Sequence, residues 1–514
     1  MTKSLSISGR DISVQFDYDT YTMYKLSSLP KKTMIDQSSY LVPFSFEVLE
    51  LLQKWEFKVN DDLKEFIAEE KERKKNFHVS ELNGELKPFQ NTGVNFINEA
   101  KGRCLIADEM GTGKTIQAIG YIAMNRKVTV IICPASIKLN WQREIEKWIN
   151  DTNVEILKGT KSYKTSGDIL ILNYDIAYAW IEEIKRRNPQ ILILDELTKI
   201  KHSSANRTKA ILKLKTLPHI IGLSGTPIEN RPEEIYNAGK LIRPDLFGTF
   251  AEFKRKYCNG NGFGHEYNGT KDLHLLNFML TSSGFMIRRL KKDVLSELPE
   301  KTFSFVPIEL SNRTEYAHAE NDLVTWLRNE RGIEKRMIDA RVKFEYMKQI
   351  ATKGKLKQVK EWIKDFLETE NKLVVFCTHK FVVDALMNEF SCAVKIDGST
   401  TNRQTPVDMF QNDPKTRLFI GNSASETGIT LTASSNIAHI EYPWNPSSLE
   451  QRNDRCHRIG QKYNVNVYYL LAQDTIEEKI IKLLDKKRIM IDSAMDGINT
   501  PNESLLTELL KMYK

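Results

Sequence analysis

The sequence predicts an α/β protein of two parallel-sheet lobes with helical insertions, preceded by a small α+β module. Three observations predict it. Short continuous apolar runs alternate with helical patterns from about Leu86, a second such set begins near Leu373, and a glycine-rich loop ending at Lys114 lies between the first run and a helix. Runs of that kind suit strands buried on both faces, which arise where helices cover both sides of a parallel sheet.

Residues 1–78 hold the alternating stretch ISVQFDY, a turn at Pro30 followed by Lys31 and Lys32, and FSFEVLELLQKW, whose apolar spacing is helical. The charged segment DDLKEFIAEEKERKK reads as a further helix. Residues 79–290 form the first lobe, with RCLIA, VTVIICP, DILILNYD, QILILDE and HIIGLSG as its strands. Between about Pro232 and Lys357 the composition turns to Lys, Glu, Arg and Met, with a Gly/Asn-rich patch (CNGNGFGHEYNGT). That stretch reads as a helical insertion in the first lobe and, over 291–357, a linker and helical protrusion. Residues 358–474 form the second lobe, with strands in KLVVFCT, AVKIDGS, RLFIGN, NIAHIEYP and VNVYYLLA, and residues 475–514 form C-terminal brace helices.

Composition bounds the function. A chain of 514 residues exceeds what one core sustains, which saturates near about 250–300 residues. With 41% hydrophobic and 28% charged residues and no apolar stretch long enough to span a bilayer, it reads as soluble. The N-terminus carries no apolar signal region, and the six cysteines form no C-x-x-C pair, so the thiols are expected to be reduced, intracellular and without zinc. A net charge of +8 suits a polyanionic partner, and equally a solvated basic surface.

The chemistry starts at Ala107–Thr115, ADEMGTGKT. Phosphates need backbone N–H donors at close range: Gly111, Thr112 and Gly113 form the loop, Lys114 offers a charge to the β and γ oxygens, and Thr115 a hydroxyl to Mg²⁺. Ala107 stands where the usual pattern has its first glycine, but the strand, loop, helix context points to a nucleoside triphosphate. The strand ILILDE ends in two acids. Asp195 is placed to hold Mg²⁺, directly or through water, and Glu196 to orient and deprotonate the attacking water. A solvated strand end is the alternative for a lone acid pair. Far downstream, QRNDRCHRIGQ carries Arg455 and Arg458 three apart, candidates for arginine fingers from another lobe, or else a helix-surface pair.

Taken together, DEMGTGKTIQAI, ICPASIKLNWQREIEKW, DELTKIK, GLSGTPIEN, FMIRRLKKDVLSELPEK, NSASETGITLTASS, YPWNPSSLEQRNDRCHRIGQ and TIEEKI resemble the Swi/Snf-type ATPases of helicase superfamily 2, over about Leu86 to Lys479. The resemblance implies two RecA-like lobes with helical protrusions and ATP-driven translocation on double-stranded DNA by a monomer. It places Gln90 as the adenine-reading glutamine, and Ser224 and Thr226, with Gly428 of the second lobe, as residues coupling the ATP site to lobe movement. It also places Pro134, Ser136, Lys138, Asn173 and Tyr174 in the first lobe, and Thr378, Ser423, Thr430 and Trp444 in the second, in segments that contact the DNA backbone; for any one of them a structural role at a strand end is the alternative. Hydroxyl and amide contacts to phosphate carry no sequence information. Trp141 and Trp148, seven apart on a predicted helix, read as core rather than stacking platforms.

Two departures are visible. Thr198 replaces the histidine of D-E-A-H, and Ser425 and Glu426 stand where A-G-G-x-G-L-N-L has glycines. The second fits the annealing-helicase side of the family. Val14–Trp55 resembles the HARP module of that branch, with Tyr40 where a tryptophan is usual, and implies recognition of forked or branched DNA. A generic α+β packing domain is the alternative. No bromodomain, chromodomain, nuclease or zinc-finger pattern accompanies the motor. The expected function is remodelling or annealing of branched DNA at replication forks or recombination intermediates; a strand-separating helicase for DNA or RNA and an ATP-gated protein-displacing remodeller stay open. The expected setting is the cytoplasm of a prokaryote or virus-infected host cell rather than a nucleus.

Overall fold

The computed structural model describes the chain except residues 1, 2, 28, 30, 31, 229, 230, 260–268, 271, 272, 330–332, 370, 496–504 and 514. Pro30, Lys31 and most of the Gly/Asn-rich patch therefore lie outside the described residues. Apart from two short segments, the contacts divide the chain after Leu290 into two compact units.

In the first unit, all five apolar runs of the first set are strands. The sheet order is Met286–Ile287, Arg103–Ile106, His219–Leu223, Ile191–Asp195, Thr129–Cys133, Ile169–Asn173, Val154–Ile156, with every neighbouring pair parallel. The four inner strands besides Arg103–Ile106 are almost wholly buried because helices such as Lys114–Asn125, Lys138–Trp148 and Ala177–Arg187 cover the sheet. Register decides where function sits: Asp195 lies opposite Leu223, Leu223 opposite Ile106, and Cys133 opposite Asn173. Ala107, Pro134, Tyr174, Glu196 and Ser224 thus leave the same edge, the carboxyl ends of the strands, where ligands bind in open parallel sheets.

The N-terminal residues belong to this unit and form their own sheet, in the order Thr33–Asp36, Ser39–Pro43, Asp11–Phe16, Lys3–Ser8, Lys58–Val59. The predicted helices are Phe46–Lys54, capped by the Ser45 side chain, and Asp61–Lys75. Leu5, Ile12, Val14, Tyr40 and Leu52 make its core, against which Phe278 of the helix Leu273–Ser282 packs, so the module is docked on the lobe.

The second unit repeats the plan. All five apolar runs of the second set are strands in a parallel sheet of order Lys301–Ile308, Val465–Ala472, Asn436–His439, Leu373–Phe376, Leu418–Gly421, Ala393–Ile396. Helices Arg313–Asn329, Ile333–Glu368 and Ile476–Met495 accompany it. Lys355, fully buried, pins two of these to the sheet by donating to Leu470 O at 2.7 Å and to Glu477 at 2.6 Å. Among the described residues no helix is long and apolar enough to cross a membrane.

Candidate nucleotide site

The loop after Arg103–Ile106 is held by backbone. Leu105, Ala107 and Glu109 donate N–H bonds to Phe285, Ile287 and Arg289 carbonyls at 2.7, 2.8 and 2.9 Å, extending the Met286–Ile287 pairing into the loop. Gly111 and Gly113 take φ of +82° and +87°, the left-handed region that glycine enters without steric cost, and Gly113 caps the helix Lys114–Asn125. A Cβ at Gly113 would stand 2.6 Å from Gln90 Nε2, so only glycine lets Gln90 this close. Gln90 is itself fixed at the start of the helix Pro88–Glu99, its Oε1 accepting from the Lys87 N–H at 3.0 Å. The Lys114 ammonium lies within the loop, donating to Asp108 O at 2.8 Å and Glu109 O at 3.3 Å.

Asp195 ends its strand half-buried. Burial pushes its carboxyl above the usual range, while three groups favour the charged form: the Trp141 indole N–H, donated to Oδ2 at 2.8 Å, the Lys114 charge, and the Glu196 N–H, donated to Oδ1 at 2.9 Å. Trp141 is core, as its spacing predicts, since it is wholly buried, yet its polar edge also orients the acid. Trp148 is partly buried and donates to Glu144 at 3.2 Å. Glu196 follows with φ +55°, a left-handed conformation rarely adopted by a residue with a side chain and concentrated at functional sites. Thr198, in place of a histidine, is partly buried in the short turn Leu197–Ile200.

Mg²⁺ held together with a nucleotide takes one or two protein oxygens beside phosphates and waters. Thr115, on the first helical turn after the loop, and Asp195 match that donor chemistry, and among the described residues no cluster of three or more metal-ligating side chains offers another place.

The other first-lobe residues are sorted by their partners. Ser224 is buried, its Oγ accepting from Thr226 N–H at 3.3 Å. Lys138 donates to Leu157 O and to Asn173 Oδ1, both at 3.2 Å. Tyr174 is buried, and its hydroxyl donates to Asp195 O at 2.8 Å, so its side chain is a strut of the acid site, the structural alternative at that strand end. Pro134 and Ser136 are partly exposed at the sheet edge.

In the second unit, Arg455 and Arg458 converge: each donates to Ile429 O at 3.2 Å, beside Gly428 (φ +76°) and the partly exposed Thr430. Their turn is anchored by Lys291, which donates to Asp454 at 2.6 Å and to His457 O at 3.0 Å, and by Lys301, which donates to Glu450 at 2.9 Å. Burial alone would raise the Asp454 carboxyl, but Lys291 and Lys301 hold it below its ordinary value. The two departures in NSASETGITL have a local explanation. Ser425 donates to Asn422 O at 2.7 Å, and Glu426 accepts from buried Arg452 at 2.8 Å, so a carboxylate replaces a glycine where a guanidinium awaits it. Trp444 donates to Glu345 at 2.8 Å under the Lys348 ammonium, and His379 bridges Glu345 (3.2 Å) and Glu441. Thr378 N–H donates to Glu441 at 2.7 Å, whereas its buried hydroxyl has no partner among the described residues. Ser423 is exposed.

Sequence reasoning missed Arg289. Its Nε donates to buried Asp108 Oδ1 at 2.9 Å, Nη2 donates to Gln117 Oε1 at 2.9 Å and to Asp108 Oδ2, and Nη1 donates to Phe89 O. It stands in a basic run, and no local pattern marks one arginine of that run as turned onto a buried carboxylate.

A glycine loop with lysine, a strand-end acid pair and a second parallel lobe with paired arginines define a helicase-type P-loop protein. The comparisons place it further: the model of the SNF2-related domain matches residues 89–382 and that of the helicase conserved C-terminal domain residues 354–460, and the chain belongs to the SNF2-related family. It is 32% identical over 451 residues to the SWI/SNF-related matrix-associated actin-dependent regulator of chromatin subfamily A-like protein 1 of Xenopus laevis, covering 84% of this chain and 46% of that protein. It is also 32% identical over 451 residues to the DNA annealing helicase and endonuclease ZRANB3 of Bos taurus, covering 82% and 41%. The chain thus spans about half the length of these relatives. Among solved structures, the Sulfolobus solfataricus SWI2/SNF2 ATPase core in complex with dsDNA aligns at 25% identity and TM-score 0.40, covering 82% of this chain and 95% of that one.

Proposed function

We propose that this chain is a DNA-dependent ATPase that translocates on double-stranded DNA and remodels or anneals branched DNA. The observation that carries the reading is the first-lobe sheet edge, where Lys114, Thr115, Asp195 and Glu196 come together with Gln90 against the loop. Phosphoryl transfer is mostly positioning and charge stabilisation, and these groups suit it. Gln90 reads adenine, loop N–H groups and Lys114 hold the phosphates, and Glu196 takes the proton of the attacking water. Thr115 and Asp195 would hold Mg²⁺, which would supply charge neutralisation there. Arg455 and Arg458 supply the positive charge that stabilises the transferring group. The names of the relatives, one of them an annealing helicase, support branched DNA as the target, and the partial exposure of Ser136, Thr430 and Trp444 supports their meeting its backbone.

The test is direct. Lys114→Ala and Glu196→Gln lower DNA-stimulated ATP turnover by about 100-fold or more, while binding to forked duplex, followed by fluorescence anisotropy, stays near that of the unaltered chain. Turnover that survives either substitution contradicts the assignment.

A further inference from the structure

Arg289 touches three elements of the nucleotide site at once. Its guanidinium forks onto both oxygens of Asp108 at the start of the phosphate loop, while its own N–H donates to Asp108 Oδ1 at 3.1 Å. It donates also to Phe89 O, the residue before Gln90, and its face lies 5.4 Å from the Phe89 ring. Through Gln117 it reaches the helix that follows the loop, Gln117 Nε2 donating in turn to Asp108 Oδ2 at 3.0 Å. Asp108 and Gln117 are fully buried. Gly93, one turn beyond Gln90, makes room for the fork: a Cβ there would stand 1.8 Å from Gln117 Oε1 and 2.8 Å from Arg289 Nη2.

We infer that Arg289 is a positioning residue that sets the spacing between the helix carrying Gln90 and the loop carrying Lys114, and thereby the affinity and selectivity for adenine nucleotides. The inference rests on the reading that this site takes ATP. A planar five-donor fork can satisfy Asp108, Gln117 and a carbonyl together, whereas an ammonium on a flexible stem has no such fixed geometry. Without the fork, the helix start and the loop are free to shift apart, and a displacement of about 1 Å is enough to spoil a hydrogen-bonded fit.

The experiment uses the full chain without DNA. Binding of fluorescently labelled ATP and GTP is measured for the unaltered protein, for Arg289→Lys, which keeps a positive charge beside buried Asp108, and for Gly93→Ala, which keeps Arg289 but pushes the helix off its fork. DNA-stimulated turnover and thermal unfolding are measured alongside. The expected result for both variants is roughly tenfold weaker ATP binding, an ATP-to-GTP preference falling toward unity, and a raised KM with kcat within about twofold. Binding and preference unchanged in either folded variant, or a fall in kcat at unaltered KM, overturns the inference. If the unaltered chain binds neither nucleotide, the ATP reading itself fails; if it binds ATP and the variants do so equally well, only the role of Arg289 fails.

Discussion

Trp141→Phe removes one hydrogen bond and little else, because the residue is wholly buried and phenylalanine keeps most of its apolar packing. The lost bond is the indole N–H donated at 2.8 Å to Asp195 Oδ2. A hydrogen bond to a charged group contributes about 1.5–3 kcal/mol, and each pKa unit corresponds to about 1.4 kcal/mol. The direction follows from which form the bond favours. Trp141 stabilises the carboxylate, so its loss raises a carboxyl that burial already raises. The acid limb of ATP turnover against pH therefore moves to higher pH by roughly one to two units, and turnover recovers at alkaline pH. Tyr174→Phe is the matched control: its hydroxyl donates to the Asp195 backbone carbonyl, not to the carboxylate, so it lowers stability without moving that limb. An acid limb that stays in place in Trp141→Phe, with turnover reduced equally at every pH, refutes the reasoning.

Lys291→Ala strands the buried Asp454 carboxylate, leaving Lys301 at 3.8 Å as its nearest cation; removing one partner of a buried ion pair costs about 3–5 kcal/mol. Calorimetry then finds a melting temperature lower by about 2–4 °C for each kcal/mol, and an unchanged melt contradicts the anchoring role. The perch of Trp444 is sensitive to pH. Its neighbour His379 is raised to about 9 by Glu345 and Glu441, while Glu345, which burial would raise, is brought to about 2 by His379 and Lys348. The histidine contribution is complete below its ordinary value of 6.5 and lost as pH rises through 9; that of Glu345 is present above 4.5 and lost as pH falls through 2. The stability gap between the unaltered chain and His379→Asn is therefore widest between pH 4.5 and 6.5 and closes by pH 9 in thermal melts; a gap independent of pH contradicts the charge assignment.

The legible part of the fold was the part buried on both faces. Ten apolar runs became ten strands, because a strand covered by helices on either side has no polar face to interrupt its pattern. The sheet edges escaped. Lys301–Ile308 is mostly exposed and mixes lysine, serine and proline with phenylalanine, Val154–Ile156 is only partly buried, and Met286–Ile287 is two residues long. The same logic governs the site. Lys114, Asp195 and Glu196 sit in local motifs, whereas Trp141 lies 54 positions from Asp195 and Arg289 181 positions from Asp108, so nothing near them in the chain announces the bond. Tyr174 was placed by likeness to a motif segment, and its burial follows from its place just after the buried strand Ile169–Asn173. Glu426 looked like a lost glycine until buried Arg452 supplied its partner.

The central claim, that ATP hydrolysis here is driven by duplex or branched DNA, is tested most directly by the ATPase rate on single-stranded, duplex, forked and four-way-junction DNA at one fixed salt concentration, since phosphate contacts make affinity fall steeply with ionic strength. The account predicts a low rate without DNA, strong stimulation by duplex, and the greatest by forked or four-way DNA. A rate that is high without DNA and indifferent to every substrate contradicts it.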